Sequence, residues 1–101
     1  MLLAGLDIEW TITGEPIEAC AAPGETINFN WEGPYHNVVD LGRSQHDYDE
    51  CIFGEDQTEA VEGPWSTTVG EAGHYYYVCG VLGHCAEGMQ KAYITVQEGG
   101  C

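Results

Sequence analysis

The sequence predicts an all-β fold, a sandwich or barrel of about seven or eight short strands. Short stretches in which apolar and polar residues alternate recur along the chain, and turn signals containing Gly or Pro separate them. No long stretch shows the helical period. The 101 residues match the commonest domain size, so we expect residues 1–101 to form a single domain.

Four strands are predicted in the first half of the chain. Residues 6–13 alternate between apolar and polar side chains, which is typical of a half-buried strand. Farther on, Ile27, Phe29 and Trp31 share one face because successive side chains of a strand point to opposite sides. The predicted strands cover residues 6–13, 17–21, 26–31 and 36–41.

The second half of the chain is less regular. Residues 42–57 are polar and acidic with no clean period, and we expect a short helical turn near residues 48–53. In the strand that follows Gly73, the side chains of Tyr75, Tyr77 and Cys79 should share one face. The later strands are predicted within residues 58–69, 73–79 and 91–96, with a turn at Gly63-Pro64.

The composition is strongly acidic, with 2 Lys and Arg residues against 17 Asp and Glu residues and a formal net charge of −15. Nucleic acid and anionic membrane surfaces are excluded as partners because the cationic side chains that neutralise phosphates are missing. The charge favours a cationic partner and opposes self-association, so we expect a monomer. We interpret the acidity as a solvated surface suited to a saline medium, and a dedicated acidic docking patch is the alternative interpretation.

Five cysteines in so short a chain indicate an oxidising compartment, and we expect a secreted protein. Because five is odd, at least one cysteine lies outside any intramolecular disulfide. No stretch of about 20 apolar residues is present, so no membrane-spanning helix is predicted. The apolar start of the chain, Met1 to Ala4, is too short for a signal peptide, which an exported protein would already have lost.

Cys79, His84 and Met89 follow one another at the spacing Cys-x4-His-x4-Met. A thiolate, an imidazole and a thioether on one loop are three of the four ligands of a blue-copper site, and His36 is the candidate for the second imidazole. Each residue alone is more often a packing or surface residue. The combined pattern predicts one copper ion bound by all four side chains.

Two segments resemble the phytocyanins, plant-type blue-copper proteins of the cupredoxin superfamily. They are His36-Asn37-Val38-Val39 and the stretch from Gly73 to Met89, which contains the specific motif Cys-Gly-Val-x-Gly-His-Cys-x-x-Gly-Met. The resemblance extends over roughly residues 24–97, and Met rather than Gln at position 89 is similar to the plantacyanin and uclacyanin branches. It implies a Greek-key β-sandwich with one type 1 copper ion held by the four ligands named above.

The resemblance implies further roles for residues near the site. Asn37 resembles the cupredoxin Asn that ties the two ligand segments together through backbone hydrogen bonds, and such contacts orient metal ligands. A disulfide between Cys51 and Cys85 is also implied, and it would clamp the acidic segment to the copper loop.

The chain also departs from this family. Plantacyanins are typically basic, whereas this chain is acidic, so its partner is expected to differ. Cys20 and Cys101 lie outside the family pattern. In a cupredoxin fold the last strand runs beside the segment that contains Cys20, and Gly99-Gly100 give Cys101 reach. We therefore predict a second disulfide, Cys20–Cys101, with free thiols or an intermolecular bridge as alternatives.

The leading functional prediction is outer-sphere one-electron transfer by Cu(II)/Cu(I) cycling, without bond chemistry and therefore without enzymatic activity. The alternative is copper binding or storage, or an extracellular interaction domain, with no role as a carrier. A zinc enzyme with one Cys and two His ligands is disfavoured because Met89 takes the fourth position. A hydrolase with Cys79 as nucleophile and His84 as base is disfavoured as well.

Overall fold

Two β-sheets make up most of residues 5–101, the part of the chain that a computed structural model of the protein describes. Met1 to Ala4, predicted to be too short for a signal peptide, lie outside the described residues. The described part contains eight strands, one α-helix and one 3₁₀ turn, which confirms the all-β prediction. In chain order they are β1 (Leu6–Glu9), β2 (Ile17–Ala21), β3 (Thr26–Asn30), β4 (Val38–Asp40), α1 (Gln45–Glu50), the 3₁₀ turn (Glu55–Gln57), β5 (Thr58–Ala60), β6 (Trp65–Thr68), β7 (Gly73–Val78) and β8 (Lys91–Val96).

The smaller sheet has the strand order β1-β3-β6, and the larger has the order β2-β8-β7-β4-β5. β1 lies parallel to β3, and β2 lies parallel to β8, whereas the remaining neighbours are antiparallel. The long β7–β8 ladder lies at the centre of the larger sheet. The register of this ladder determines which face of the sheet each residue near the β7–β8 loop points to.

The main core lies between the two sheets. The predicted shared face of Tyr75, Tyr77 and Cys79 is confirmed, since Tyr77 and Cys79 are buried in this core and Tyr75 packs against it. The predicted face of β3 also holds. The buried residues of this core are Ile8, Trp10, Ala21, Ile27, Phe29, Trp31, Val38, Val69, Tyr77, Cys79, Ala92, Ile94 and Val96.

The first strand, β1, ends earlier in the chain than the alternating sequence pattern predicted. The strand stops at Glu9, and Ile12, which the alternating pattern assigned to the buried face, is 44% exposed. Pairing with β3 stops at the Glu9–Asn30 register, so the chain beyond it has no sheet to hold its alternation.

A second cluster of buried side chains lies on the outer face of the larger sheet, beneath α1. The helix begins at residue 45, earlier than predicted, because the Ser44 hydroxyl caps it by accepting a hydrogen bond from the Asp47 backbone at 3.2 Å. It ends where Cys51 adopts the left-handed conformation, with φ of 54°. The buried members of this cluster are Val39, Leu41, Tyr48, Tyr76, Val78 and Cys85.

Two disulfides join distant parts of the chain. Cys51 is bonded to Cys85, and Cys20 is bonded to Cys101, with Cα–Cα separations of 5.9 and 6.0 Å that suit a disulfide. Among the described residues, the remaining cysteine is Cys79, which is buried. No helix of the described residues is long and apolar enough to span a membrane.

Removing either disulfide should lower the free energy of unfolding, because each closes a long loop, of 34 residues for Cys51–Cys85 and 81 for Cys20–Cys101. The chain-entropy estimate is about 4 kcal/mol in each case. We expect the paired alanine variants to show this loss in urea unfolding without reductant. Only the Cys51/Cys85 variant should also speed amide hydrogen exchange in residues 80–88. Equal exchange in the two variants would contradict the clamping role of Cys51–Cys85.

Alkaline pH should destabilise the fold through Tyr48. Burial of the phenol, together with the nearby carboxylates of Glu18 and Asp49, raises its pKa to about 12. Its contribution is therefore complete below the ordinary value of 10 and is lost as pH rises from there through about 12. Tyr48→Phe should reduce the slope of unfolding free energy in that window by up to about 1.4 kcal/mol per pH unit. Identical slopes in guanidinium titrations of the two proteins would contradict this assignment.

Candidate metal centre

Three metal-ligating side chains converge at one end of the sandwich. The Nδ1 atoms of His36 and His84 lie 3.2 Å apart, and the Sγ atom of Cys79 lies 3.4 Å from the His84 Nδ1 atom. The ligand atoms of the three residues all lie within 4.8 Å of one another. The structure thus brings together an imidazole pair from two segments and a thiol, at a single point.

Strand pairing explains why residues so far apart in sequence meet here. β4 pairs with β7 in the register Val39–Val78, so His36 and Cys79 lie just beyond the same end of these strands. The chain then turns back, since the backbone N–H of His84 bonds to the Val81 carbonyl at 2.9 Å. Gly83 has a φ of 82°, a conformation that favours glycine, and this turn aims His84 at the other two side chains.

Asn37 connects the two segments that carry the ligands. Its side-chain oxygen accepts a hydrogen bond from the Gly80 backbone at 2.5 Å, and its own N–H points at the Cys79 sulfur at 3.5 Å. The Trp10 indole donates to the Asn37 carbonyl at 2.8 Å, which fixes this segment from the opposite sheet. A Cβ on Gly80 would approach Val39 to 2.9 Å, so the close approach favours glycine there.

Burial biases the site toward uncharged donors when no cation is bound. Burial raises the pKa of the Cys79 thiol, and the backbone N–H groups of Asn37 and Val81 offset part of that rise. Burial also lowers the pKa of His36, and the adjacent His84 lowers it further. Metal binding replaces protons at such groups, so a cation at this point would satisfy the thiolate and both imidazole lone pairs.

Met89 is a partly buried residue with a φ of 58°, in the left-handed region. It borders an open cavity on the outer face of the larger sheet, together with Tyr48, Lys91 and Tyr93. Its assignment as the fourth ligand therefore stays a prediction. His46 and His74, for which the sequence offered no partner at ligand spacing, are both exposed.

Apolar side chains surround the mouth of the cluster. Leu82, two residues before His84, is 97% exposed, and Tyr35, next to His36, is 74% exposed. Phe53 lies beside Gly80 and borders a cavity with Leu82. We call Leu82, Tyr35 and Phe53 the apolar rim. His84 itself is half-buried, so part of the residue is open to solvent.

The sequence did not single out two residues at the centre. One is Trp10, whose place in an alternating strand suggested only packing, although its indole also bonds to Asn37. The other is Gln90, a polar residue that is only 1% exposed and whose backbone bonds to Cys79 and His84. No sequence signal identified Gln90. Met89, the residue before it, already lies at the spacing expected for a ligand and drew the prediction.

Comparisons with known proteins identify a domain family and solved structures with a similar fold. The plastocyanin-like domain model matches residues 20–89. A blue copper protein of Pisum sativum is 29% identical over 85 residues, which cover 80% of this chain and 44% of that protein. Cucumber peeling cupredoxin from Cucumis sativus is 34% identical over 74 residues, which cover 72% of this chain and 53% of that protein. The chain thus spans about half the length of these curated relatives.

Solved structures share the architecture. Cucumber stellacyanin with Cu²⁺ superposes with a TM-score of 0.71 at 23% identity, covering 94% of this chain and 98% of that one. Spinach plantacyanin superposes with a TM-score of 0.70 at 21% identity, covering 93% and 100% of the two chains. The donor set of one thiol and two imidazoles fits one copper ion. The chain therefore belongs to the plastocyanin-like domain family and is similar to blue copper proteins.

Proposed function

We propose that this protein carries single electrons by outer-sphere transfer, with a type 1 copper ion that His36, Cys79 and His84 would hold. The observation that carries the proposal is the convergence of these three donors within 4.8 Å of one another, with the sulfur in the core. A bound copper ion supplies a Cu(II)/Cu(I) couple that accepts and returns one electron. A fourth donor would complete the site, and the ligand spacing makes Met89 one candidate for it.

Rigidity of the donors supports a carrier rather than a catalyst. Cys79 is fully buried and its backbone N–H bonds to the Gln90 carbonyl at 2.9 Å. The Asn37 link and the Cys51–Cys85 disulfide restrain the two loops that carry the imidazoles. Donors held in this way move little between two metal oxidation states, which keeps the reorganisation that accompanies electron transfer small. We therefore assign no bond chemistry to the protein.

The half-buried His84 ring is the proposed route for electrons, because it connects the donor cluster to the surface. The apolar rim around it, with Leu82 at its most exposed point, suits brief contact with another protein. Elsewhere the surface is acidic, and the net charge of −15 would speed encounter with a cationic partner. Two disulfides fit secretion into an oxidising compartment.

Copper-loaded wild-type protein should absorb strongly in the visible through charge transfer from the Cys79 thiolate to Cu(II). Cys79→Ser should abolish this band, because a hydroxyl does not supply the soft sulfur donor. His36→Ala and His84→Ala should shift or weaken the band, whereas His74→Ala, at an exposed imidazole, should leave it unchanged. A visible spectrum that survives Cys79→Ser would contradict the proposed ligand set.

Electron exchange distinguishes a carrier from a storage protein. We expect a reversible one-electron couple and rapid reaction with small redox complexes. Rates with a cationic complex should fall as ionic strength rises, and rates with an anionic complex should rise, because salt screens the charge of −15. Stopped-flow measurements at about 10 mM and 0.5 M salt would test this, across a range where the screening length falls several-fold. An irreversible couple, or exchange too slow to follow this pattern, would favour copper storage.

A further inference from the structure

Gln90 is a buried amide that has no hydrogen-bond partner for either side-chain atom among the described residues. The residue is only 1% exposed, so bulk solvent does not reach these atoms. Both its Nε2 and Oε1 atoms are affected. Buried polar side chains are ordinarily hydrogen-bonded, and an exception requires a physical explanation, of which a bound ion is one.

The backbone of Gln90 connects two of the three converging donors. Its carbonyl accepts a hydrogen bond from the Cys79 N–H at 2.9 Å, and its own N–H bonds to the His84 carbonyl at 2.9 Å. The β7–β8 register pairs Val78 with Lys91, so the next antiparallel pair is Cys79 with Gln90. Directly opposed residues have Cβ atoms about 4.5–5.5 Å apart on the same face of a sheet.

The face of that pair is the one that looks into the main core. Cys79 belongs to this core, as do Ala92 and Ile94 of β8, which have the same parity as Gln90. Tyr93 and Lys91, of opposite parity, lie on the outer face with Tyr48. Alternation therefore directs the Gln90 amide to the side on which the Cys79 sulfur lies.

Met89 has the parity of the outer face. It borders the same cavity as Lys91 and Tyr93, beneath α1. Its positive φ departs from strand geometry, but the position of Gln90 is set independently by its bonds to Cys79 and His84. The sequence spacing predicts the Met89 thioether as the fourth ligand. The unpartnered Gln90 amide, however, lies on the side of the sheet that carries the Cys79 sulfur.

We propose that Gln90, through its side-chain oxygen, is the axial ligand of the copper centre, in place of Met89. This inference rests on the proposed copper site at His36, Cys79 and His84. The weak axial position of blue-copper sites accepts a Gln oxygen as well as a Met sulfur. An amide oxygen is a harder donor than a thioether, so it stabilises Cu(II) relative to Cu(I) and lowers the reduction potential.

The test compares Gln90→Leu with Met89→Leu, both loaded with copper. Gln90→Leu should raise the reduction potential by about 59 mV or more, equivalent to a tenfold change in the preference for Cu(I) over Cu(II). It should also alter the Cu(II) electron paramagnetic resonance spectrum. Met89→Leu should leave potential and spectrum at their wild-type values. In the copper-free state, Gln90→Leu should be at least as stable as the wild type, because it removes an unpaired buried amide.

Three results would overturn the assignment of Gln90. One is a shift in Met89→Leu with none in Gln90→Leu. A second is a lowered potential in Gln90→Leu, which would mean that the amide donates a hydrogen bond to the Cys79 sulfur instead of binding the metal. The third is a copper-free Gln90→Leu protein that is destabilised, which would show a purely structural role. If the wild type lacks the visible charge-transfer band, the copper proposal itself fails and this one fails with it.

Discussion

The site depends on one hydrogen bond, from the Gly80 backbone N–H to the Asn37 side chain. It spans 43 residues of sequence and joins the segment of one imidazole to the segment of the thiol. Neither segment is regular strand there, so sheet pairing alone does not hold them together. Trp10 reinforces the link from the facing sheet by donating to the Asn37 carbonyl. The Asn37 N–H also points at the Cys79 sulfur. Asn37 therefore both joins the two chain segments and orients the sulfur donor.

Much of the fold could be predicted from alternation, because a strand with one buried face requires a period of two. The shared face of Tyr75, Tyr77 and Cys79 was of this kind, and it located the thiol inside the core. Prediction failed where local pattern and tertiary pairing disagreed. Ile12 continues the alternation of β1 but has no strand beside it, and α1 begins early because of the Ser44 cap.

The donor cluster shows a different limit of sequence reasoning. The spacing of ligand residues in the sequence indicates which side chains can bind one metal ion. The face of the sheet on which each side chain lies depends instead on the strand register. Cys79, His84 and His36 could be found by residue type and spacing, and the structure brings their donor atoms together. The fourth position could not be decided in this way, because Met89 and Gln90 are adjacent and a one-residue difference reverses the face. Only the β7–β8 register and the unpaired amide separate them.

The interior of the site has unmet interactions that one cation would satisfy together, namely those of the Cys79 sulfur, the His36 nitrogen and the Gln90 side-chain oxygen. Burial disfavours the Cys79 thiolate and the protonated form of His36, and leaves the Gln90 amide without partners. Burying an unpaired polar group costs free energy, and hydrophobic residues of similar size at these positions would avoid that cost. A cation that binds only the folded chain adds its binding free energy to the stability of the fold. Metal binding therefore explains the convergence of these donors better than packing does, since packing alone gives no reason to bury the Gln90 amide.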